Sequence, residues 1–179
     1  MTDMLKNCQL CPRACGADRT KSRGACGAGI EIEAARASLH MWEEPPISGT
    51  NGSGTVFFSH CSLGCVFCQN RKISRREAEG QNITADALAK TFLSLEKKGA
   101  HNINLVTGAH YVPQIIEALQ IARKQGLSLP VVYNSSGYEQ VETLQLLDGH
   151  IDIYLPDYKY YSSYYAGLYS HAEDYREFA

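Results

Sequence analysis

The chain has 179 residues, a formal net charge of −2 and 44% hydrophobic residues, which suits one soluble globular domain with a small appendage. Charged residues make up 20% with both signs interspersed, so the sequence offers neither a basic field for nucleic acid nor an acidic tail. No apolar run, Ile103 to Val106 included, is long enough to span a bilayer, and the N-terminus lacks the layout of a secretory signal. A cytoplasmic protein with no membrane and no nucleic-acid partner is expected.

All seven cysteines fall at or before Cys68. An odd count without a signal peptide argues against a disulfide framework, whereas clustered cysteines in a reducing compartment hold metal or carry out redox chemistry. Residues 1 to about 30 carry the first four, Cys8-x2-Cys11-x3-Cys15-x10-Cys26, among glycines and basic residues. Too few large apolar side chains are present to bury a core, so a bound metal must supply the stability. A closed zinc site is the plainest reading and an iron-sulfur cluster the other; four thiolates do not choose between them.

Residues 31 to 53 read as a bridge. An alternating stretch with Ile32, Ala34, Leu39 and Trp42 runs into Glu43-Glu44-Pro45-Pro46 and a Gly-rich segment, which marks a loop before the main body. The expected division is therefore a Cys-rich module with its linker over 1–53 and a main domain over 54–179.

From Thr55 onward short β-rich runs alternate with helical ones. Thr55 to Ser59 predicts a strand. Thr84 predicts an N-cap for a helix with Leu88, Phe92 and Leu95 on one face, Ile83 at staple spacing from Leu88, and Gly99 as the stop. Ile103 to Val106 is the second strand. A helix from Pro113 to Gln125, closed by Gly126, leads to the strand Val131 to Tyr133. Val141, Leu144 and Leu147 mark a helix before the strand Asp152 to Leu155. Four βα units in series imply an α/β fold with a parallel sheet, either doubly wound or an arc of a barrel. Ligands gather at the C-terminal strand ends of both, which singles out His60 to Cys68, Thr107 to His110, Asn134 to Gly137 and Asp157 to Lys159.

Cys61-x3-Cys65-x2-Cys68 lies just past the first of these strands. Three thiolates cannot close a structural zinc site, but they can hold three irons of a [4Fe-4S] cluster and leave the fourth open to a small ligand. A catalytic zinc on three cysteines, or three buried free thiols, are the alternatives. Gly64 suits the tight loop that wrapping a cluster demands.

This spacing, with the aromatic Phe67 before the last cysteine, resembles the signature of radical S-adenosylmethionine (SAM) proteins. The wider context resembles the pyruvate formate-lyase activating enzyme-related family over essentially the whole chain. It comprises Cys-x-Leu-Cys-Pro-Arg at 8–13, Glu43-Glu44-Pro45, Cys68-Gln69-Asn70 and Leu155-Pro156-Asp157-Tyr158-Lys159. The resemblance implies a partial (β/α)6 barrel in which the open iron binds the amino and carboxylate groups of SAM. Reductive cleavage then gives a 5′-deoxyadenosyl radical that abstracts hydrogen from a protein or peptide, with a low-potential donor such as flavodoxin or ferredoxin supplying the electron.

The resemblance further implies that Phe67 lines the adenine, and that Thr107, Gly108, His110, Asn134, Ser135, Asp157 and Lys159 line the rest of the SAM and substrate pocket. The superfamily often carries a Gly-Gly-Glu segment for the SAM amino group where this chain reads Thr107-Gly108-Ala109-His110. With no acid there, backbone carbonyls or His110 must serve, or nothing does. The blander readings are that His110 is a helix-entry residue and that Asp157 and Lys159 form a solvated pair. Arg71, Lys72, Arg75 and Arg76 read as a solvated loop or a meeting point for an acidic partner. The tyrosines from Tyr154 to Tyr169 read as surface and interface area. Four βα units against six implies a barrel incomplete at its C-terminal side, with the fourth strand as an open edge. The rival function is a non-catalytic zinc or iron-sulfur module that docks a protein partner.

Overall fold

Side chains alternate between the two faces of a strand, so register decides what the sheet shows to each side. A computed structural model describes residues 2–179. Six strands, β1 (Ile32–His40), β2 (Ser53–Phe58), β3 (Gln81–Ile83), β4 (Ile103–Val106), β5 (Val131–Ser135) and β6 (Ile153–Pro156), form one sheet in the order β3-β1-β2-β4-β5-β6. The strands β2, β4, β5 and β6 run parallel, as the four βα units require, and β1 is antiparallel to both of its neighbours.

Helices α3 (Ala85–Lys97), α4 (Val112–Lys124) and α5 (Val141–Leu146) connect the parallel strands. Thr84 caps α3 by accepting from the Ala87 N–H at 3.2 Å, and Ile83 and Leu88 share the main core. That core packs Val56, Phe58, Leu105 and Tyr133 of the sheet against Leu88, Phe92, Leu95, Ile115 and Leu119 of α3 and α4. The opposite face carries one aligned row, Phe57, Val106, Asn134 and Leu155, paired strand to strand.

Residues 31–53 differ from the expected bridge. They supply β1, which pairs with β2 from Ala34↔Phe58 to His40↔Ser53, so a boundary before residue 54 falls inside the sheet. A register shift between Ala34 and Arg36 breaks the alternation that would have marked a strand. The edge strand β3, three polar or half-buried residues long, carries no pattern by which to find it. Short helices α1 (Pro45–Ser48), α2 (Arg71–Ser74), α6 (Ser163–Ser170) and α7 (Tyr175–Phe178) complete the chain. A second, smaller core joins Leu63 and Cys65 to Tyr138, Tyr160, Ala166, Ala172 and Tyr175. Among the described residues no helix is long and apolar enough to cross a membrane.

Phe92 is fully buried between α3 and the sheet. Phe92→Ala is expected to cost about 3–5 kcal/mol, read as a lowered midpoint in urea unfolding with an unchanged slope.

Candidate functional site

Beyond β2 the chain turns sharply. His60 takes a left-handed φ of 71° and Gly64 one of 67°, a conformation a glycine adopts without strain. His60 is fully buried, with Nε2 3.0 Å from Glu33 Oε2 and 3.2 Å from Arg23 Nη1, and Nδ1 3.2 Å from the Arg75 carbonyl. Arg23 closes the triad by donating to Glu33 Oε1 at 2.7 Å. This network, buried at His60 and Glu33, fixes the residue that immediately precedes Cys61.

Five consecutive carbonyls of the loop accept from two guanidinium groups. Arg13 donates to Ser62 O at 3.0 Å and Leu63 O at 3.3 Å; Arg75 donates to Gly64 O at 2.8 Å, Cys65 O at 3.1 Å and Val66 O at 3.4 Å. With carbonyls drawn outward the amides turn inward, and the N–H groups of Gly64 and Leu63 reach the Cys61 sulfur. Burial pushes the Cys61 thiol up to about 11, and those two amides favour the thiolate against it.

Cys61, Cys65 and Cys68 line a single cavity of about 970 Å³. Pockets for small ligands run to about 300–1,000 Å³, so this one admits a cluster together with a nucleoside-sized molecule. Among the described residues no group of three or more His, Cys, Asp or Glu side chains has the spacing of a single bound ion. A cubane asks for something wider, because each thiolate caps a different iron. Three thiols spread around one cavity, with amides directed at sulfur, fit that demand.

The cavity collects Phe67, Thr107, Asn134, Ser135, Asp157 and Lys159 of the residues singled out from sequence. Phe67 is 57% exposed, edge-on to Tyr160 and Tyr169 at 5.9 and 6.2 Å. Lys159 Nζ pairs with Asp157 Oδ2 at 2.5 Å at the rim. Tyr175, fully buried, ties this wall together: its hydroxyl accepts from the Lys159 N–H at 2.8 Å and lies 2.7 Å from Ser136 O and 2.8 Å from Asp157 O.

Two expected contacts are corrected. His110 and Gly108 do not line the cavity. Thr107 takes a left-handed φ of 61°, and a Cβ on Gly108 would stand 2.7 Å from Ile115 Cδ1, so the turn packs inward on α4. His110 is buried with Nε2 donating to Ser59 O at 2.8 Å, and burial lowers its pKa to about 3, leaving it neutral.

The acids in the cavity come from elsewhere. Glu43 and Glu44, in the loop after β1, line it with His40 and Trp42, and Asn134 Nδ2 donates to Glu43 Oε2 at 3.2 Å. Burial raises the Glu43 pKa. Nothing in the sequence between residues 41 and 46 marks Glu43 as a cavity residue, because its place depends on how that loop folds over the sheet.

The other four cysteines gather in the N-terminal segment, Cys8 and Cys11 buried, Cys26 half-buried and Cys15 exposed. Cys15 and Cys26 both lie beside Gly24, where a Cβ would stand 3.6 Å from either sulfur. All seven cysteines are free thiols.

Two buried groups set opposite pH dependences. His110 resists protonation down to about pH 3 whereas the unfolded residue titrates near 6.5, so its contribution to stability is lost as pH falls from 6.5 towards 3. Glu139 is raised to about 7 by burial, so its contribution is present below pH 4.5 and lost as pH rises through 7. Glu139→Gln should gain stability relative to the parent between pH 5 and 8, by up to about 3 kcal/mol in urea unfolding. A constant difference across that range would show that Glu139 ionises normally. Tyr175→Phe is expected to lose about 1–2 kcal/mol through the loss of its hydroxyl contacts, by the same measurement.

Comparison with known proteins bears on the same region. The family model of the Radical SAM superfamily matches residues 55–174, which take in the three-cysteine loop and the four parallel strands apart from the first two residues of β2. The chain is also 31% identical over 163 residues to an uncharacterized protein, MJ0674, of Methanocaldococcus jannaschii, an alignment covering 88% of this chain and 47% of that protein. The chain thus spans about half the length of that relative. The superfamily match implies a partial barrel, a [4Fe-4S] cluster and SAM. With a matched region that takes in the cysteine loop and the cavity strands, the chain belongs to the radical SAM superfamily.

Proposed function

We propose that this protein is a radical SAM enzyme that abstracts hydrogen from a protein or peptide, in the manner of the pyruvate formate-lyase activating enzymes. The observation that carries the reading is the cavity's composition: three thiols, and not four, together with acids, amides and a lysine. Cys61, Cys65 and Cys68 would hold the cluster and leave one iron for SAM. When bound, the cluster supplies one electron to the sulfonium, giving methionine and a 5′-deoxyadenosyl radical.

The chain's own residues then bind and shield. Asn134, Ser135 and Lys159 offer donors for a carboxylate; Glu43, Glu44 and Asp157 offer acceptors for an ammonium group, replacing the acid absent from Thr107 to His110. Phe67 gives an apolar edge for adenine, and Trp42, 87% exposed, stands at the mouth. The exposed Tyr161, Tyr164 and Tyr165 support a protein or peptide partner, since tyrosines are enriched at interfaces. Arg36, Arg71 and Lys72 line a neighbouring groove of about 850 Å³ that shares Gln69 and Asn70 with the main cavity. This basic rim supports an acidic electron donor such as flavodoxin or ferredoxin. The free thiols support a reducing, cytoplasmic setting, and Cys8, Cys11, Cys15 and Cys26 are assigned a second metal, zinc or another cluster.

Anaerobic reconstitution followed by dithionite and SAM tests the reading. The parent chain should yield 5′-deoxyadenosine, and Cys61→Ala/Cys65→Ala/Cys68→Ala should yield none. Asn134→Ala should raise the SAM concentration for half-maximal yield about tenfold, the worth of one hydrogen bond to a charged group. A parent chain that takes up iron but gives no more 5′-deoxyadenosine than the triple variant would refute it.

A further inference from the structure

Beside the N-terminal cysteines lies a charge that has no acid to balance it. Arg19 is 2% exposed. Its guanidinium donates to Gly29 O from Nε at 2.9 Å and from Nη2 at 2.5 Å, and to His110 O from Nη1 at 2.5 Å; its Cζ lies 5.5 Å from the centre of the Tyr111 ring. Among the described residues no carboxylate pairs with it. Guanidinium does not give up its proton in proteins, and carbonyl dipoles solvate the charge without neutralising it. The sulfur within reach is Cys8 Sγ, 3.9 Å from Nη1.

The other sulfurs lie close by. Cys8 and Cys11 are buried, and a Cβ on Gly24 would stand 3.6 Å from the sulfurs of both Cys15 and Cys26.

We propose that Arg19 is the buried counter-charge of a tetrathiolate iron-sulfur cluster on Cys8, Cys11, Cys15 and Cys26. This deepens the second-metal reading of those cysteines, on which it rests, and is independent of the radical chemistry. Among the described residues no group of three or more ligating side chains has the spacing of a single bound ion, which disfavours zinc here, whereas a cubane asks for a wider set. An oxidised cubane leaves four thiolates with a net charge of about −2, which suits the cation. Paired in this way the centre retains about one net negative charge, and the buried arginine is no longer an uncompensated ion.

The test uses Cys61→Ala/Cys65→Ala/Cys68→Ala, in which any remaining metal belongs to the N-terminal set. Elemental and sulfide analysis should find about four irons with matching sulfide. In that background Arg19→Met should release metal to a chelator at least tenfold more readily, and Arg19→Lys should recover most of the loss. With Arg19 intact, stripping the metal should lower the melting temperature, because the cation is then buried without its anions; this arm decides the matter should Arg19→Met fail to fold. Absence of iron and sulfide, or a mass lower by the protons lost to disulfides, would overturn the cluster on these cysteines and the inference with it. Metal held equally well by Arg19→Met, or a melting temperature indifferent to stripping, would overturn the role of Arg19 alone.

Discussion

Two guanidinium groups hold the loop on which the site depends. Arg13 and Arg75 draw out the carbonyls of residues 62 to 66, and a peptide whose carbonyl faces one way turns its amide the other. The amides of Leu63 and Gly64 thus face the Cys61 sulfur, and a loop with no regular secondary structure acquires a fixed inner surface. Arg13 also donates to the carbonyls of Ser170 and His171, so the same side chain fastens the end of α6 beneath the loop. The second core, built from Leu63, Cys65, Tyr160 and Tyr175, fills the space between them.

The N-terminal segment takes part through its arginines. Arg13, Arg19 and Arg23 are interleaved with the cysteines, and each reaches the ligand-facing end of the sheet: Arg13 the cysteine loop, Arg19 the His110 carbonyl, Arg23 the Glu33 and His60 pair. A strained backbone at His60 persists because four partners over-determine it. Cysteines alone would make this segment a separate bead on the chain; the arginines fasten it to the cysteine loop and to the ends of the strands.

The cavity owes its character to register. Phe57, Val106, Asn134 and Leu155 form one row across β2, β4, β5 and β6, and that row is the floor of the cavity. A slip of one residue would put Val56, Leu105 and Tyr133, which pack in the main core, in place of Phe57, Val106 and Asn134. Since β1 runs antiparallel to β2, its end delivers Glu43 and Glu44 into the cavity from a direction that a series of βα units alone would not provide.

What the sequence determined by itself is whatever rests on local spacing. The ligand pattern of Cys61, Cys65 and Cys68 is legible because six to eight residues of chain suffice to bring three thiols round one cavity. The cap at Thr84, the staple of Ile83 on Leu88 and the stop at Gly99 are legible because each acts within one turn of α3. The parallel strands β2, β4 and β5 are legible because burial on both faces writes apolar runs. The tertiary structure alone decided where the polar groups point. A position just past a strand does not say whether a side chain enters the cavity, and the left-handed turn at Thr107 sends His110 into the core while Asn134 stays on the floor. Strand β1 sets Ile32, Ala34 and Leu39 against the core, but the bulge between Ala34 and Arg36 breaks the spacing that would announce them as one face. Glu43 meets Asn134 across 91 residues of chain, and only the folded loop puts an acid where the strand-end motif lacks one.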